Sequence, residues 1–398
     1  MFRGNFYKII KQGMSALLCG GLLFSQPGII YASENTAAQV TAAPEHSSTY
    51  SQAADTDSIK GWPAGPNIEG ESAVLMDAVT DTVLYSKNAD NKLYPASITK
   101  IMTALLVCEN LDMNDSLTMS EAAAYGIEAG SSTIYAETGE VFTVEQAVMA
   151  LMLESANEMA LALAEKTSGS VKKFVELMNQ RAAQLGCKHT HFNNPNGLHD
   201  EKHYPLFRKF VTTQTYEIPP TNKQPETRYL LNHHKMLAGQ SYAYDGVLGG
   251  KTGYTTNAGN TLVTYAKRGN SILIAVVLNS TNGAFPDTAS LLDYGFNNFE
   301  KVDLNVDPDP VTTPFLPCEK YLLKDNGNTS LFPYIRHVYV TVPTGTDTGT
   351  LTKKQWVLNN SVGPKRIKSK YYLDDHMVGY GMQYEKEILS DLLLQTSL

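Results

Sequence analysis

Three short polar motifs constrain this chain more than any other feature, because they occur in a fixed order and carry side chains suited to chemistry. Ser97-Ile98-Thr99-Lys100 comes first, Ser155-Ala156-Asn157 follows, and Lys251-Thr252-Gly253 comes last. Each motif is weak by itself, since a serine and a lysine three residues apart occur by chance in most chains of this length. Together they predict a fold that brings three distant segments to one site.

The first motif predicts a nucleophile beside a base. A predicted helix opens at Tyr94-Pro95-Ala96-Ser97 and runs to about Glu109, so Ser97 and Lys100 share one helical face. A serine hydroxyl attacks well only when a base takes its proton, and Lys100 can be that base if burial lowers its pKa. The helix N-terminus at Ser97 also offers a backbone amide to a developing oxyanion. Taken alone, a helix start with a solvated lysine is the more common explanation.

The second motif interrupts an apolar helical pattern that spans residues 144–166. Polar residues that break such a pattern are turn-formers or site residues, and both explanations stay open at this point. As site residues, Ser155 would relay a proton between Lys100, Lys251 and the leaving group. Asn157 would hold Lys100 in place or hydrogen-bond a substrate amide.

The third motif precedes a predicted hairpin made of two β-rich runs, residues 261–265 and 271–279. A lysine and a threonine on a strand edge can dock an extended peptide and its terminal carboxylate, and Gly253 leaves room for it. An ordinary exposed turn is the more common explanation of this motif taken alone. The site therefore depends on all three motifs occurring together.

The chain ends are expected to lie outside the folded unit. Residues 1–32 are typical of a signal peptide, with three basic residues before a short apolar run, although a retained membrane anchor is an alternative. Residues 33–58 are rich in Ser, Thr and Ala and predict a disordered linker. Residues 386–398 form a short apolar tail with few cations, which favours at most a weak association with a membrane surface.

The folded part is predicted to contain two domains. A catalytic domain at residues 59–303 begins with β-rich runs at 72–77 and 82–86, includes a helix at 171–185, and closes with a helix at 291–299. A small all-β domain is predicted at residues 304–385, and a proline-rich linker at 307–310 precedes its β-type runs. Its β-type runs include residues 337–342 and 355–358.

Charge and cysteine content narrow the possible partners. The chain carries 32 Lys and Arg against 40 Asp and Glu, a formal charge of −8, which argues against a nucleic-acid partner. Cys108, Cys187 and Cys318 are too few and too widely spaced for a disulfide framework or a zinc site. We expect buried, unreactive thiols, and a site that needs no metal or organic cofactor.

Longer matches around the motifs give the chain a resemblance to serine-type D-alanyl-D-alanine carboxypeptidases, the low-molecular-mass penicillin-binding proteins. The matching segments are residues 94–100, 153–157, 192–198, 249–255 and 292–296. The resemblance covers about residues 60–300 and implies the α/β (α+β) transpeptidase fold of penicillin-binding proteins and serine β-lactamases. In that fold a helical subdomain lies beside an antiparallel sheet with the site between them, and the small C-terminal all-β domain fits the family layout.

The resemblance also implies a role for each motif residue. The implied catalytic residues are Ser97, Lys100 and Ser155, and the implied substrate-binding residues are Asn157, Lys251, Thr252, Gly253 and Tyr254. The backbone amides of Ser97 and Tyr254 would form the oxyanion hole. The implied substrate is a peptidoglycan stem peptide ending in D-Ala-D-Ala outside the bacterial cytoplasmic membrane, and β-lactams would acylate Ser97.

Two departures from the family pattern are visible. A helix-forming run of roughly fifteen residues, usual in the family after the position of Tyr204, is missing, which predicts exposed core or local repacking. Ala284 occupies a position where family members often carry an arginine that helps bind the terminal carboxylate.

The sequence is also compatible with two other functions. A β-lactamase would need a deacylating glutamate, and the candidates are Glu158, Glu165, Glu176, Glu201, Glu217 and Glu226. A non-catalytic peptidoglycan-binding protein is the other alternative, because of the missing run and Ala284.

Overall fold

The computed structural model describes residues 46–187, 190–195, 205–304, 338–358 and 366–384. The α-helices are α1 (Lys100–Asn110), α2 (Glu121–Tyr125), α3 (Val144–Leu153), α4 (Asn157–Ser168), α5 (Val171–Gln184), α6 (Pro205–Thr212) and α7 (Ala284–Asn298). The first ten strands are β1 (Gly70–Asp77), β2 (Val83–Lys87), β3 (Ser116–Thr118), β4 (Val141–Thr143), β5 (Thr215–Ile218), β6 (Arg228–Leu231), β7 (Val247–Thr255), β8 (Gly259–Arg268), β9 (Ser271–Ser280) and β10 (Phe299–Asp303). The last four are β11 (Tyr339–Pro343), β12 (Thr352–Leu358), β13 (Arg366–Leu373) and β14 (His376–Tyr384).

A five-stranded antiparallel sheet supports the third motif. Its strand order is β2-β1-β9-β8-β7, so β7 lies at one edge. The predicted hairpin is β8–β9, which pairs in register from Arg268 opposite Ser271. Because β7 pairs with a strand only on its β8 side within this sheet, its other side can receive an extended peptide.

Helices α1 to α6 form a layer whose apolar core also includes Val263 of β8. The apolar pattern predicted across residues 144–166 becomes two helices, α3 and α4, with the second motif between them. A capping box at Thr143 and Gln146 starts α3. The largest core cluster is built mainly from α1, α3 and α4, and representative members are Ile101, Ala104, Val148, Leu151, Met159 and Leu163.

Helix α7 begins seven residues before the predicted start at Leu291. Its first turn contains Pro286 and Asp287, which resemble a loop in sequence. Asp287 is nevertheless buried, and its carboxylate accepts the backbone amides of Glu69 and Gly70 and the hydroxyl of Ser280 at 2.8–2.9 Å. These hydrogen bonds tie the helix start to β1 and β9, a tertiary effect that periodicity does not reveal.

The second five-stranded sheet belongs to the C-terminal region, and its order is β10-β11-β14-β13-β12. Strand β10 pairs with β11 from Phe299 opposite Pro343, so this sheet starts at residue 299, before the predicted boundary at 303–304. The linker expected at residues 307–310 lies outside the described residues, as do the signal peptide and the C-terminal tail.

The predicted disordered linker was wrong for residues 46–58. The Ser47 amide donates to Glu69 Oε2 at 2.7 Å, and residues Asp55–Ser58 form a 3₁₀ turn capped by Asp57. Short polar side chains are common both in disordered segments and in hydrogen-bonded turns. Composition alone could not separate the two states.

Helix α6 occupies the region after the missing run. Phe210 is fully buried and Val211 nearly so, and both belong to the large helical core. A Cβ at Gly249 would lie 2.2 Å from the Val211 carbonyl oxygen, so α6 packs directly against β7. The described part of this region is therefore packed against the helical core and against the edge strand. No helix among the described residues is long and apolar enough to cross a membrane.

Candidate active site

Ser97 and Lys100 meet where a 3₁₀ turn, Ala96–Thr99, passes into α1. Lys100 Nζ lies 2.9 Å from Ser97 Oγ and donates to Asn157 Oδ1 at 2.7 Å. The whole Lys100 side chain is buried. The first two motifs, 57 residues apart along the chain, are therefore joined through this one amine.

The surroundings of Lys100 favour its neutral form. Burial lowers the pKa of the Lys100 amine well below its usual value, and the positive charge of Lys251 lowers it further. The nearby Glu158 carboxylate acts in the opposite direction but does not cancel the effect. A neutral amine at 2.9 Å can accept the proton of the Ser97 hydroxyl.

Strand β7 passes directly in front of the Ser97 turn. A Cβ at Gly253 would lie 2.8 Å from the Ser97 amide nitrogen and 2.5 Å from Thr261 Oγ1, so only glycine fits without a shift. The Thr261 hydroxyl donates to the Pro95 carbonyl at 2.9 Å, which ties β8 to the same turn. Ala96 adopts a left-handed φ of 54°, a strained conformation that this packing maintains.

Lys251 is the second buried lysine of the site. Its Nζ donates to the Thr252 carbonyl at 2.9 Å. Burial lowers the pKa of Lys251 to about 7, opposed only in part by Glu154. Its neighbour Thr252 is half-buried and Tyr254 is exposed, so β7 changes from buried to accessible along the motif.

Ser155 lies in the break between α3 and α4. It has a left-handed φ of 59°, it is buried, and its hydroxyl has no hydrogen-bond partner among the described residues. The backbone N–H of Asn157 donates to the Ser132 carbonyl at 2.9 Å, which holds the start of α4. An unpaired buried hydroxyl is costly, so this group is free to bond a ligand or a transferring proton.

A family model described as D-alanyl-D-alanine carboxypeptidase, peptidase S11, matches residues 60–282. The chain belongs to this family. It is 38% identical over 253 residues to D-alanyl-D-alanine carboxypeptidase DacF of Bacillus subtilis, covering 58% of this chain and 63% of DacF. It is 31% identical over 319 residues to DacA of Escherichia coli K12, covering 75% of this chain and 76% of that DacA.

Solved structures of this family share the fold. The Streptomyces K15 DD-transpeptidase matches with a TM-score of 0.54 at 30% identity, covering 58% of this chain and 99% of that one. A Mycobacterium tuberculosis D-alanyl-D-alanine carboxypeptidase matches with a TM-score of 0.53 at 26% identity, covering 60% of this chain and 95% of that one. The predicted family and fold class are thus confirmed. The chain spans 63–64% of the length of DacF and of the Haemophilus influenzae DacA.

Glu158 lies behind the candidate site and supports it. It is fully buried, and its Oε1 accepts the Thr133 hydroxyl at 2.6 Å and the Ile134 amide at 2.7 Å. These bonds hold the loop that carries Ser132, whose carbonyl accepts the backbone N–H of Asn157. The sequence signal was a carboxylate in an apolar helix directly after the second motif. The sequence predicts for Glu158 only the role of a deacylating base, which the structure replaces with a supporting one.

Two further contributors are not among the predicted site residues. Glu154 accepts the Leu231 amide at 2.6 Å and pairs with His233, which links the second motif to β6. His234 is buried beside β7, and a Cβ at Gly250 would lie 2.8 Å from its Nε2. Both depend on contacts between distant segments. Ala284 is buried at the start of α7 and offers no charge.

Proposed function

We propose that this protein is a serine D-alanyl-D-alanine carboxypeptidase that removes the terminal D-alanine from peptidoglycan stem peptides. The observation that carries the proposal is the buried Lys100 amine, with its lowered pKa, 2.9 Å from the Ser97 hydroxyl. Its family relatives named as D-alanyl-D-alanine carboxypeptidases support the same reaction. The fit of Gly253 against the Ser97 amide supports an acyl-transfer site.

Acylation would begin with attack of Ser97 Oγ on the carbonyl carbon of the penultimate D-alanine. Lys100 accepts the hydroxyl proton as the new C–O bond forms, and the backbone amides of Ser97 and Tyr254 stabilise the oxyanion. The C–N bond then breaks, and the D-alanine nitrogen leaves with a proton relayed through Ser155. An ester on Ser97 remains. The unpaired Ser155 hydroxyl is available for that relay.

Substrate binding would use the open edge of β7. The peptide lies extended along residues 251–254, and the Lys251 ammonium and Thr252 hydroxyl bind its terminal carboxylate. A bound carboxylate favours the charged form of Lys251, whose pKa of about 7 allows it to gain a proton at little cost. This contribution matters more here because Ala284 supplies no cation.

Deacylation would follow when water attacks the ester and Lys100 accepts a proton from that water. The C–O bond to Ser97 breaks, and the proton returns to Ser97 Oγ. A β-lactam would acylate Ser97 in the same way. The β-lactamase alternative is not favoured, because the curated relatives are named as carboxypeptidases and Glu158 Oε1 already accepts two hydrogen bonds from a loop.

The proposed substrate lies outside the cytoplasmic membrane, so the proposal includes export by residues 1–32 as a signal peptide. It also includes two folded domains, a catalytic one and a small C-terminal β-domain. We also propose a weak association of residues 386–398 with the membrane surface.

Intact-protein mass after incubation with benzylpenicillin, together with D-alanine release from a synthetic peptide ending in D-Ala-D-Ala, tests the proposal. The wild type should form an adduct and release D-alanine, whereas Ser97→Ala should do neither. Ser290→Ala removes an exposed hydroxyl and should behave as the wild type. Folded wild-type protein without D-alanine release, or release by Ser97→Ala, would refute the proposed reaction.

A further inference from the structure

The C-terminal sheet presents one face lined by lysines and aromatic rings. Side chains alternate between the two faces of a strand, so the pairing of β12, β13 and β14 determines which residues share this face. We name it the lysine–aromatic face, and its described members are Lys354, Trp356, Lys368, Lys370, Tyr372 and Tyr380.

This face is the outer one. Its neighbours along β13, Ser369 and Tyr371, point the other way and are buried. Trp356 and Tyr380, by contrast, remain 44% and 37% exposed. The outer face therefore presents partly exposed aromatic surface beside its lysines.

The lysines are close to one another and to the rings. Lys354 is directly opposite Lys370 in the β12–β13 register, and Trp356 is directly opposite Lys368. Lys354 Nζ lies 4.5 Å from the centre of the Tyr372 ring, and Lys368 Nζ lies 5.7 Å from that of Tyr380. Like charges directly opposite each other on a sheet are destabilising, so a bound anion would stabilise this arrangement.

The positive charge is local and contrasts with the rest of the chain. Residues 352–373 contain six Lys and Arg and no Asp or Glu, in a chain with a formal charge of −8. No acidic side chain belongs to the lysine–aromatic face among the residues described for β12 to β14. This charge therefore favours an anionic partner, which distinguishes the face from the rest of an acidic protein.

We propose that the lysine–aromatic face binds an anionic polysaccharide of the cell wall. The lysines pair with carboxylate or phosphate groups along the polymer, and the C–H faces of sugar rings stack on Trp356. Surface helices and loops that bind membranes bury several aliphatic side chains, whereas the described members of this face are three aromatic rings among three lysines, which favours a glycan. The choice of a wall polymer rests on the proposed function, whereas the binding chemistry does not.

Binding to four soluble probes tests this inference in the full chain. The probes are polygalacturonate, neutral dextran, polyglutamate and phosphatidylglycerol vesicles. We expect polygalacturonate to bind more tightly than dextran, which lacks charge, and than polyglutamate, which lacks sugar rings. Its affinity should fall as salt increases. Failure to bind polygalacturonate, or a preference for vesicles or polyglutamate, would overturn the inference.

Variants separate the face from general charge effects. Lys354→Gln with Lys370→Gln should weaken polygalacturonate binding about tenfold and flatten its salt dependence. Trp356→Ala should remove the preference for polygalacturonate over polyglutamate. Lys172→Gln with Lys173→Gln removes the same charge from the exposed side of α5 and should leave binding unchanged. An equal loss of polygalacturonate affinity in both double variants would contradict specific binding at the lysine–aromatic face.

Catalysis provides an independent readout. All the face variants should acylate with benzylpenicillin and release D-alanine from a small peptide as the wild type does, since the substituted residues lie in β12 and β13. Normal D-alanine release without polygalacturonate binding would refute polysaccharide binding by the lysine–aromatic face and leave the proposed reaction intact. Polygalacturonate binding without D-alanine release would refute the proposed reaction and leave the binding inference intact.

Discussion

His234 is expected to make the fold less stable as the pH falls from 7 to 5. The imidazole is 1% exposed, and its Nε2 lies 2.9 Å from Thr264 Oγ1 behind β7. Burial lowers the pKa of His234 from 6.5 to about 4, and the nearby positive charge of Lys251 acts in the same direction. The native protein therefore keeps this ring neutral over a pH range in which the unfolded chain protonates it.

The sign and size of the effect follow from linkage. Between pH 6.5 and pH 4 the unfolded chain binds a proton that the native state does not, so acidification favours unfolding. Each pH unit below 6.5 costs about 1.4 kcal/mol, so the loss at pH 5 is about 2 kcal/mol. The loss at pH 7 is negligible.

Urea unfolding at pH 7 and pH 5 measures this loss directly. His234→Gln keeps a polar group near Thr264 but cannot titrate, so the wild type should lose about 2 kcal/mol more than this variant on acidification. His191→Gln, which replaces an exposed histidine, should follow the wild type. Equal losses in the wild type and His234→Gln would show that the buried imidazole does not govern this pH response.

Two further predictions concern the site and its support. Gly253→Ala should reduce acylation by benzylpenicillin about a hundredfold, because its Cβ would displace the Ser97 amide, while circular dichroism stays unchanged; a normal acylation rate would contradict the close approach of β7. Arg228→Met should cost about 3 kcal/mol in urea unfolding, because it leaves the fully buried Glu140 carboxylate without the cation now 2.7 Å away. Lys209→Met, which breaks a more exposed pair with Glu145, should cost less than about 1 kcal/mol, and equal costs would refute the argument from burial.

The local pattern of the chain predicted most of the elements near the site. The helix after Ser97, the break at Ser155 and the β8–β9 hairpin all follow from periodicity and turn chemistry within short windows. The start of α7 and the ordered structure of residues 46–58 could not be predicted from such short windows. The helix start depends on the bonds from the Glu69 and Gly70 amides to Asp287, and residues 46–58 are held by the bond from the Ser47 amide to Glu69.

The sequence by itself determined which chemical groups are available and how they are spaced along each element. Ser97 and Lys100 share one face because they are three positions apart. Only the tertiary structure decided the state of those groups. Lys100 loses its usual basicity because packing removes water from it and brings Lys251 close, and Gly253 meets the Ser97 amide because β7 crosses that turn. Burial and long-range register arise from many distant contacts at once, so no local pattern contains them.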